Sequence, residues 1–222
     1  MAVRGYLQYC ALARALDVAG DRWTLLIVRE LRPGPRRFTD LVDGLPGISR
    51  RVLTERLRDL EGDGIVTRRE LPPPVARQVY ELTGDGRELA AAMAPLAAWG
   101  AKRLGERGPG ESFRSRWTAV GLAMLADLEA AAGVHETYQF VVGDAAFHLI
   151  VDDGSVDVHD GYAEDPAVVV TTDEETWAGI ASGNVTASGA ARDGRLVSAG
   201  ERQAVKRMGA IFSRHRMVAR AS

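Results

Sequence analysis

Residues Phe38–Gly64 read FTDLVDGLPGISRRVLTERLRDLEGDG, two short helical patterns joined by a Pro46-Gly47 turn. In the first, Phe38, Leu41, Val42 and Leu45 recur at the spacing of one helix face. In the second, Ser49 stands as the cap and Val52, Leu53, Leu57 and Leu60 form the apolar stripe, until Gly62-Asp63-Gly64 closes the helix. Turning Leu53, Leu57 and Leu60 inward puts Arg50, Arg51, Thr54, Glu55 and Arg58 on the opposite face. Three guanidiniums and a hydroxyl near a helix start suit the base edges of a major groove. Arg56 lies beside the buried stripe, where a structural or phosphate-contacting role is expected.

Working outward, Asp21 followed by Trp23, Leu26, Ile27, Glu30 and Leu31 predicts a capped helix that Arg32-Pro33-Gly34-Pro35 terminates. Downstream, Ile65–Leu71 and Gln78–Leu82 read as two strands joined by Pro72-Pro73-Pro74, and Gly84–Arg103 as a long Ala-rich helix. Two short helices, a tight turn and a hairpin make a winged helix-turn-helix. Arg36 and Arg37 before one helix and Ser49 at the start of the next are placed to hold phosphates. Arg68, Arg69 and Arg77 flank the wing, within reach of neighbouring phosphates or a minor groove. An arginine-rich helix face alone is usually a solvated surface. Here it coincides with the helix that the motif presents, which favours double-stranded DNA as a partner.

Charge supports the division of labour. The net charge is −2, but residues 1–107 carry 18 Lys+Arg against 14 Asp+Glu, and residues 108–222 carry 10 against 16. Only the first half is therefore expected to meet a polyanion. A single cysteine, Cys10, excludes an internal disulfide framework and fits a reducing cytoplasm. No secretory signal is visible, and the apolar stretch Leu89–Ala101, broken by Pro95 and Gly100, is too short for a membrane span. A cytoplasmic protein without a membrane partner is expected. The Gly/Pro-rich Glu106–Glu111 reads as a linker between a domain of residues 1–107 and one of residues 108–222.

In the second half, Ser112–Ala132 reads as an amphipathic helix with Phe113, Trp117, Val120, Met124, Leu125 and Leu128 inward. Tyr138–Gly143, Ala146–Val151, Val156–His159 and Ala167–Thr171 read as four strands at hairpin spacing. Asp173–Ala181 predicts a helix, Ala187–Gly194 and Leu196–Val197 complete the sheet, and Glu201–Phe212 closes the domain as a helix. The fold class is α+β. Enzyme chemistry finds little footing. His135, His148, His159 and His215 lack metal-ligand spacing, and neither paired cysteines nor a phosphate-cradling loop is present. His148 and His159 are spaced to face each other across strands, at best a fortuitous pair. Asp152-Asp153 and Asp173-Glu174-Glu175 sit at a turn and a helix start, where carboxylates serve the local backbone. No catalytic group, metal or cofactor is expected.

The first half resembles HxlR-type regulators over about residues 8–104. The resemblance rests on Cys10, Ala15-Leu16-Asp17-Val18, Gly20 through Ile27, Gly34 through Phe38, Leu45 through Ser49, Leu53, Arg56-Leu57, Leu60-Glu61 and Tyr80-Glu81-Leu82-Thr83. It implies a homodimeric bacterial regulator on a palindromic operator, often a repressor. It also makes Cys10 a candidate sensor of oxidants or electrophiles, which requires an accessible thiol of lowered pKa; Arg14, one turn on, is the candidate positive neighbour. Ala11 follows Cys10 where the family usually has Pro. The alternative for Cys10 is a small apolar residue packed in the dimer interface.

Residues of about 112–215 resemble sterol-carrier-protein type-2-like domains through Tyr138-Gln139-Phe140, Val151 through Val156, Pro166 through Thr171, Trp177 through Gly183, Gly194 through Gly200 and Met208 through Phe212. This implies an apolar cavity for a hydrophobic small molecule, with Phe140, Phe147, Leu149, Val169, Trp177, Ile180, Met208 and Phe212 as candidate walls; ordinary core packing is the competing role for each. Three readings follow: a regulator controlled by an apolar effector, a regulator with a C-terminal platform that senses through Cys10 or not at all, and a lipid-carrier accessory protein that no longer binds DNA. The basic face of Arg50, Arg51 and Arg58 speaks against the third.

Overall fold

A computed structural model describes residues 5–71, 77–105 and 107–212. The Pro72-Pro73-Pro74 connection, Glu106, His215 and residues 1–4 lie outside those residues. The chain forms two compact units, Met1–Met93 and Ala94–Ser222. The division by compactness falls inside a helix, between Met93 and Ala94.

The first unit begins with α1 (Ala11–Ala19) and α2 (Thr24–Leu31). Asp21, read as the cap, stands in the turn before α2, where its Oδ1 accepts the Trp23 N–H at 3.3 Å. Two residues past Leu31 comes Pro33, and Gly34 adopts φ +136°, so the chain turns away. α3 (Phe38–Gly44) starts where Asp40 reaches back to accept the Arg37 N–H at 3.1 Å. α4 (Arg50–Gly62) is capped by Ser49, whose Oγ accepts the Val52 N–H at 3.2 Å. Ile27, Leu31, Leu41, Leu53, Leu57 and Leu60 meet in a fully buried cluster. The antiparallel wing pairs β1 (Val66–Glu70) with β2 (Gln78–Leu82), in register from Val66 opposite Leu82 to Glu70 opposite Gln78. Arg36 adds a bridge to it, exchanging two backbone hydrogen bonds with Tyr80 at 2.8 and 2.7 Å. α5 (Gly84–Ala101) follows and carries Pro95 within it.

The second unit holds α6 (Ser115–Leu125), β3 (His135–Val142), β4 (Ala145–Asp152), β5 (Ser155–Asp160), β6 (Val168–Thr172), α7 (Glu174–Ser182), α8 (Ala187–Arg192), β7 (Leu196–Gly200) and α9 (Arg202–Ile211). Its five-stranded sheet runs β5-β4-β3-β6-β7, with β6 parallel to β3 and the other pairs antiparallel. One face presents Tyr138, Phe140, Phe147, Leu149, Val158 and Val170 to the core, with α6 packed on β4 and β5. The other face is covered where Gln139 lies buried. Its Nε2 donates to the carbonyls of Phe140 and Phe147 at 3.0 and 2.9 Å, and its Oε1 accepts the Ala163 N–H at 2.8 Å. That side chain holds the connection that carries the chain from the β5 edge across to β6.

Three expectations change. The helix expected over Ser112–Ala132 is only α6. It stops at Ala126, whose ψ of 146° is extended, and the Asp127 carboxylate then accepts the Glu129 and Ala130 N–H groups in a separate turn. Leu128, expected inward, is 52% exposed as a result. Ala187–Gly194, expected to complete the sheet, contains α8, capped by the Thr186 hydroxyl accepting from the Gly189 N–H at 3.0 Å. The four strands are not successive hairpins, because β6 crosses to the far side of β3. The fold is α+β. Among the described residues no helix is long and apolar enough to cross a membrane.

Candidate nucleic-acid interface

α4 presents Arg50, Arg51, Thr54 and Arg58 to solvent while Leu53, Leu57 and Leu60 are buried. At the helical repeat the four exposed residues span an arc of about 100°. Arg50 stacks its guanidinium 5.8 Å from the Phe38 ring, so α3 helps fix the first basic side chain. The Arg51 Nε lies 3.0 Å from Glu55 one turn on, and Arg58 lies 3.7 Å from Asp59. The Thr54 hydroxyl donates to the Arg50 carbonyl at 2.8 Å. Arg56, beside the buried stripe, bridges Asp21 at 3.2 Å and Asp59 at 3.3 Å. It clamps α4 to the turn before α2.

The remaining basic residues are placed unevenly. Arg37 is the half-buried N-cap of α3, and Arg36 is half-buried with its backbone tied to the wing. On the wing, Arg68 meets Glu61 at 2.6 Å and lies 5.5 Å from the Tyr80 ring; the Glu61 hydrogen bond raises its already high pKa. Arg69 straddles the Glu81 carboxylate at 3.1 Å to each oxygen. Arg77 is exposed beyond β1, and its carbonyl accepts the Leu71 N–H at 2.9 Å. Arg51 and Glu55 are four apart, a pairing the sequence carries openly. Glu61 with Arg68 and Glu81 with Arg69 require the helix-to-strand packing and the hairpin register. Exposed pairs of this kind contribute little stability, so phosphate can displace the carboxylates.

Cys10 is exposed at the start of α1, and its carbonyl accepts the Arg14 N–H at 3.0 Å. The Arg14 guanidinium pairs with Asp17 at 3.4 Å. Around the cysteine, Tyr6, Leu7, Tyr9 and Leu12 are all more than half exposed. Leu96, Trp99 and Leu104 are likewise exposed, with Arg103 over the Trp99 ring at 3.7 Å.

Of the eight candidate wall residues, Phe140, Phe147, Leu149 and Trp177 are brought together in the core of the second unit. Phe140 and Phe147 stack at 5.2 Å, and Trp177 leans on both at 5.5 and 5.9 Å, so these rings fill the space between them. Met208 and Phe212 pack partly buried at the rim, where Phe212 meets Tyr138 edge-on at 5.9 Å. Ile180 is half-buried, and Val169 lies on the opposite sheet face. A cleft of about 360 Å³ lined by His135, Glu136, Thr137, Ile150, Val151, Asp152, Asp165 and Ala167 uses none of the eight.

Residues 18–107 match the HxlR-like helix-turn-helix family. The uncharacterised HTH-type transcriptional regulator YvaP of Bacillus subtilis is 40% identical over 86 residues, 39% of this chain and 80% of that protein. The chain belongs to the HxlR-like helix-turn-helix family. Its relative YodB, an HTH-type transcriptional regulator of Bacillus subtilis, is 39% identical over 85 residues, 38% of this chain and 76% of YodB. The solved reduced form of YodB aligns at 34% identity and a TM-score of 0.39, covering 47% of this chain and all of that one. To this HxlR-like module the chain adds residues 122–213, which match the SCP-2 sterol transfer family.

Proposed function

We propose that this HxlR-like protein is a homodimeric transcriptional regulator, not an enzyme, that reads a palindromic DNA operator with α4. The observation that carries the reading is the exposed Arg50, Arg51, Thr54 and Arg58 face on a Ser49-capped helix beside a basic wing. Ser49 and Arg37 stand at helix starts, where phosphate is favoured. Arg50, Arg51 and Arg58 point away from the core, where guanidiniums reach guanine edges. The regulators YvaP and YodB support the assignment through their family. Dimerisation uses the apolar residues exposed before and along α1 and those exposed at the end of α5. The SCP-2 match supports a further reading, in which the second unit takes an apolar effector. Because Phe140, Phe147 and Trp177 already fill the core, such a ligand enters beside the partly buried Met208 and Phe212.

Fluorescence anisotropy of the full chain on DNA from upstream of its own coding sequence tests this. Arg51→Ala should cost about 1–3 kcal/mol and relax preference at one base pair. Arg36→Ala should weaken all sequences alike and flatten the salt dependence. Equal affinity of both variants and the native chain would remove the groove assignment. The same titration with palmitate separates an effector domain, which changes the affinity, from a platform, which does not.

A further inference from the structure

His148 on β4 and His159 on β5 stand directly opposite in the antiparallel register. Their rings lie nearly parallel, 17° apart, with centroids 5.3 Å from each other. Both side chains are half-buried on the sheet face that points away from the aromatic core, in the row that continues through Gln139 on β3. The His148 Nδ1 lies 3.2 Å from the Gly161 carbonyl oxygen. A carbonyl only accepts, so Nδ1 carries the proton and donates it, which leaves Nε2 with a free lone pair. That is the arrangement by which a backbone carbonyl orients a metal-binding imidazole. Gln139 and the Gly161–Ala163 segment buttress His148 from the β3 side, because the Gln139 Oε1 holds the Ala163 N–H.

We infer that His148 and His159 form a two-imidazole site for a borderline divalent transition metal, Cu2+ in preference to Zn2+ or Ni2+. Directly opposed residues on neighbouring strands have Cβ atoms about 5 Å apart, close enough for one ion to take a nitrogen from each at about 2.0–2.1 Å once the His159 ring turns toward the held His148. Imidazole selects Cu2+, Zn2+ and Ni2+ over Mg2+ and Ca2+, and Cu2+ binds most tightly of the first-row divalent ions. Among the described residues no group of three or more His, Cys, Asp or Glu side chains is arranged to hold a metal. The ion therefore keeps open positions for water or a small exogenous ligand. The Cu2+ exchanges water for nitrogen without change of oxidation state. The site is independent of the DNA-binding assignment and lies on a different unit.

The test titrates the full chain with CuCl2, reading stoichiometry by calorimetry and nitrogen coordination by electron paramagnetic resonance, with MgCl2 as the control. His148→Asn keeps an amide N–H for the Gly161 carbonyl while removing the coordinating nitrogen. His159→Gln sits on an edge strand and leaves that bond untouched. Circular dichroism identifies a variant that has lost its fold, and the other then decides. The expected result is one Cu2+ bound through two nitrogens, with affinity lowered at least about tenfold in each folded variant and no response to Mg2+. Cu2+ bound with the same affinity, stoichiometry and nitrogen signature by the native chain and the folded variants would overturn the site.

Discussion

Thr83 shows how a residue that looks incidental in the sequence closes the first unit. Its hydroxyl donates to the Gly64 carbonyl at 2.6 Å and accepts the Gly86 N–H at 3.1 Å, joining the turn between α4 and β1 to the start of α5. Gly86 completes the joint, because a Cβ there would stand 2.1 Å from the Ile65 carbonyl oxygen. Gly86→Ala should therefore destabilise the protein by at least about 1–3 kcal/mol, since backbone must move to accept the methyl. Urea unfolding measures this; a midpoint unchanged from the native chain would contradict the close approach. The basic face was legible at this scale because helical spacing alone separates Arg50, Arg51, Thr54 and Arg58 from Leu53 and Leu57. Arg36 was less so, since nothing in its neighbours announces the backbone bridge to Tyr80. The Glu61 and Glu81 partners of Arg68 and Arg69 come from elsewhere in the chain, beyond the reach of local pattern.

Elements with a strong local signal were readable, and those decided by distant partners were not. Ser49 and the Val52–Leu60 stripe fix α4 from within. Ala187–Arg192, rich in Ala and Gly, lacks an apolar period, and only the Thr186 cap reveals it as a helix. The hairpin expectation failed at β6 because the crossing is held by Gln139, a polar residue whose hydrogen bonds to Phe140, Phe147 and Ala163 no spacing rule signals. α9 is anchored in a similar non-local way. Glu136 accepts from the Arg207 Nε at 3.0 Å and from the Tyr138 hydroxyl at 2.5 Å. The Arg207 hydrogen bond, with help from Tyr138, holds the Glu136 carboxyl below its ordinary value of 4.5, although partial burial opposes the shift. Burial and the bonded Glu136 push the Tyr138 hydroxyl well up. Glu136 is more acidic folded than unfolded, so its contribution is complete above the ordinary value and is lost as pH falls below it. Glu136→Gln should lower the melting temperature at neutral pH, and its gap from the native chain should close as the pH drops from about 5 to about 3. Thermal melts across that range check it; a gap that is constant or widens toward acid would contradict the ion pair.

At the scale of the molecule, the charge asymmetry between the halves was visible in the sequence and agrees with a basic winged unit joined to a more acidic one. Tyr6, Leu7, Tyr9 and Leu12 around α1, and Leu96, Trp99 and Leu104 at the end of α5, are large apolar side chains more than half exposed, available to a second copy of the chain. Light scattering at micromolar concentration should therefore give twice the mass of the 222-residue chain, and Leu12→Glu with Trp99→Glu should shift the population toward monomer. A native chain that is monomeric at that concentration would contradict the assembly. Dimerisation matters for reading DNA because a single winged module contacts too few bases for specificity, whereas two related by a two-fold axis read half-sites about one helical turn apart, roughly 34 Å.

Hydroxyl-radical footprinting of the full chain on its upstream DNA tests the central claim most directly. Two protected windows related by a two-fold axis, with centres separated by about 10 base pairs or a multiple of that, are expected from paired α4 helices in successive major grooves. Both should vanish when Arg50, Arg51 and Arg58 are replaced together by Ala in a chain that still folds and dimerises. Protection that persists unchanged in that variant would contradict the account.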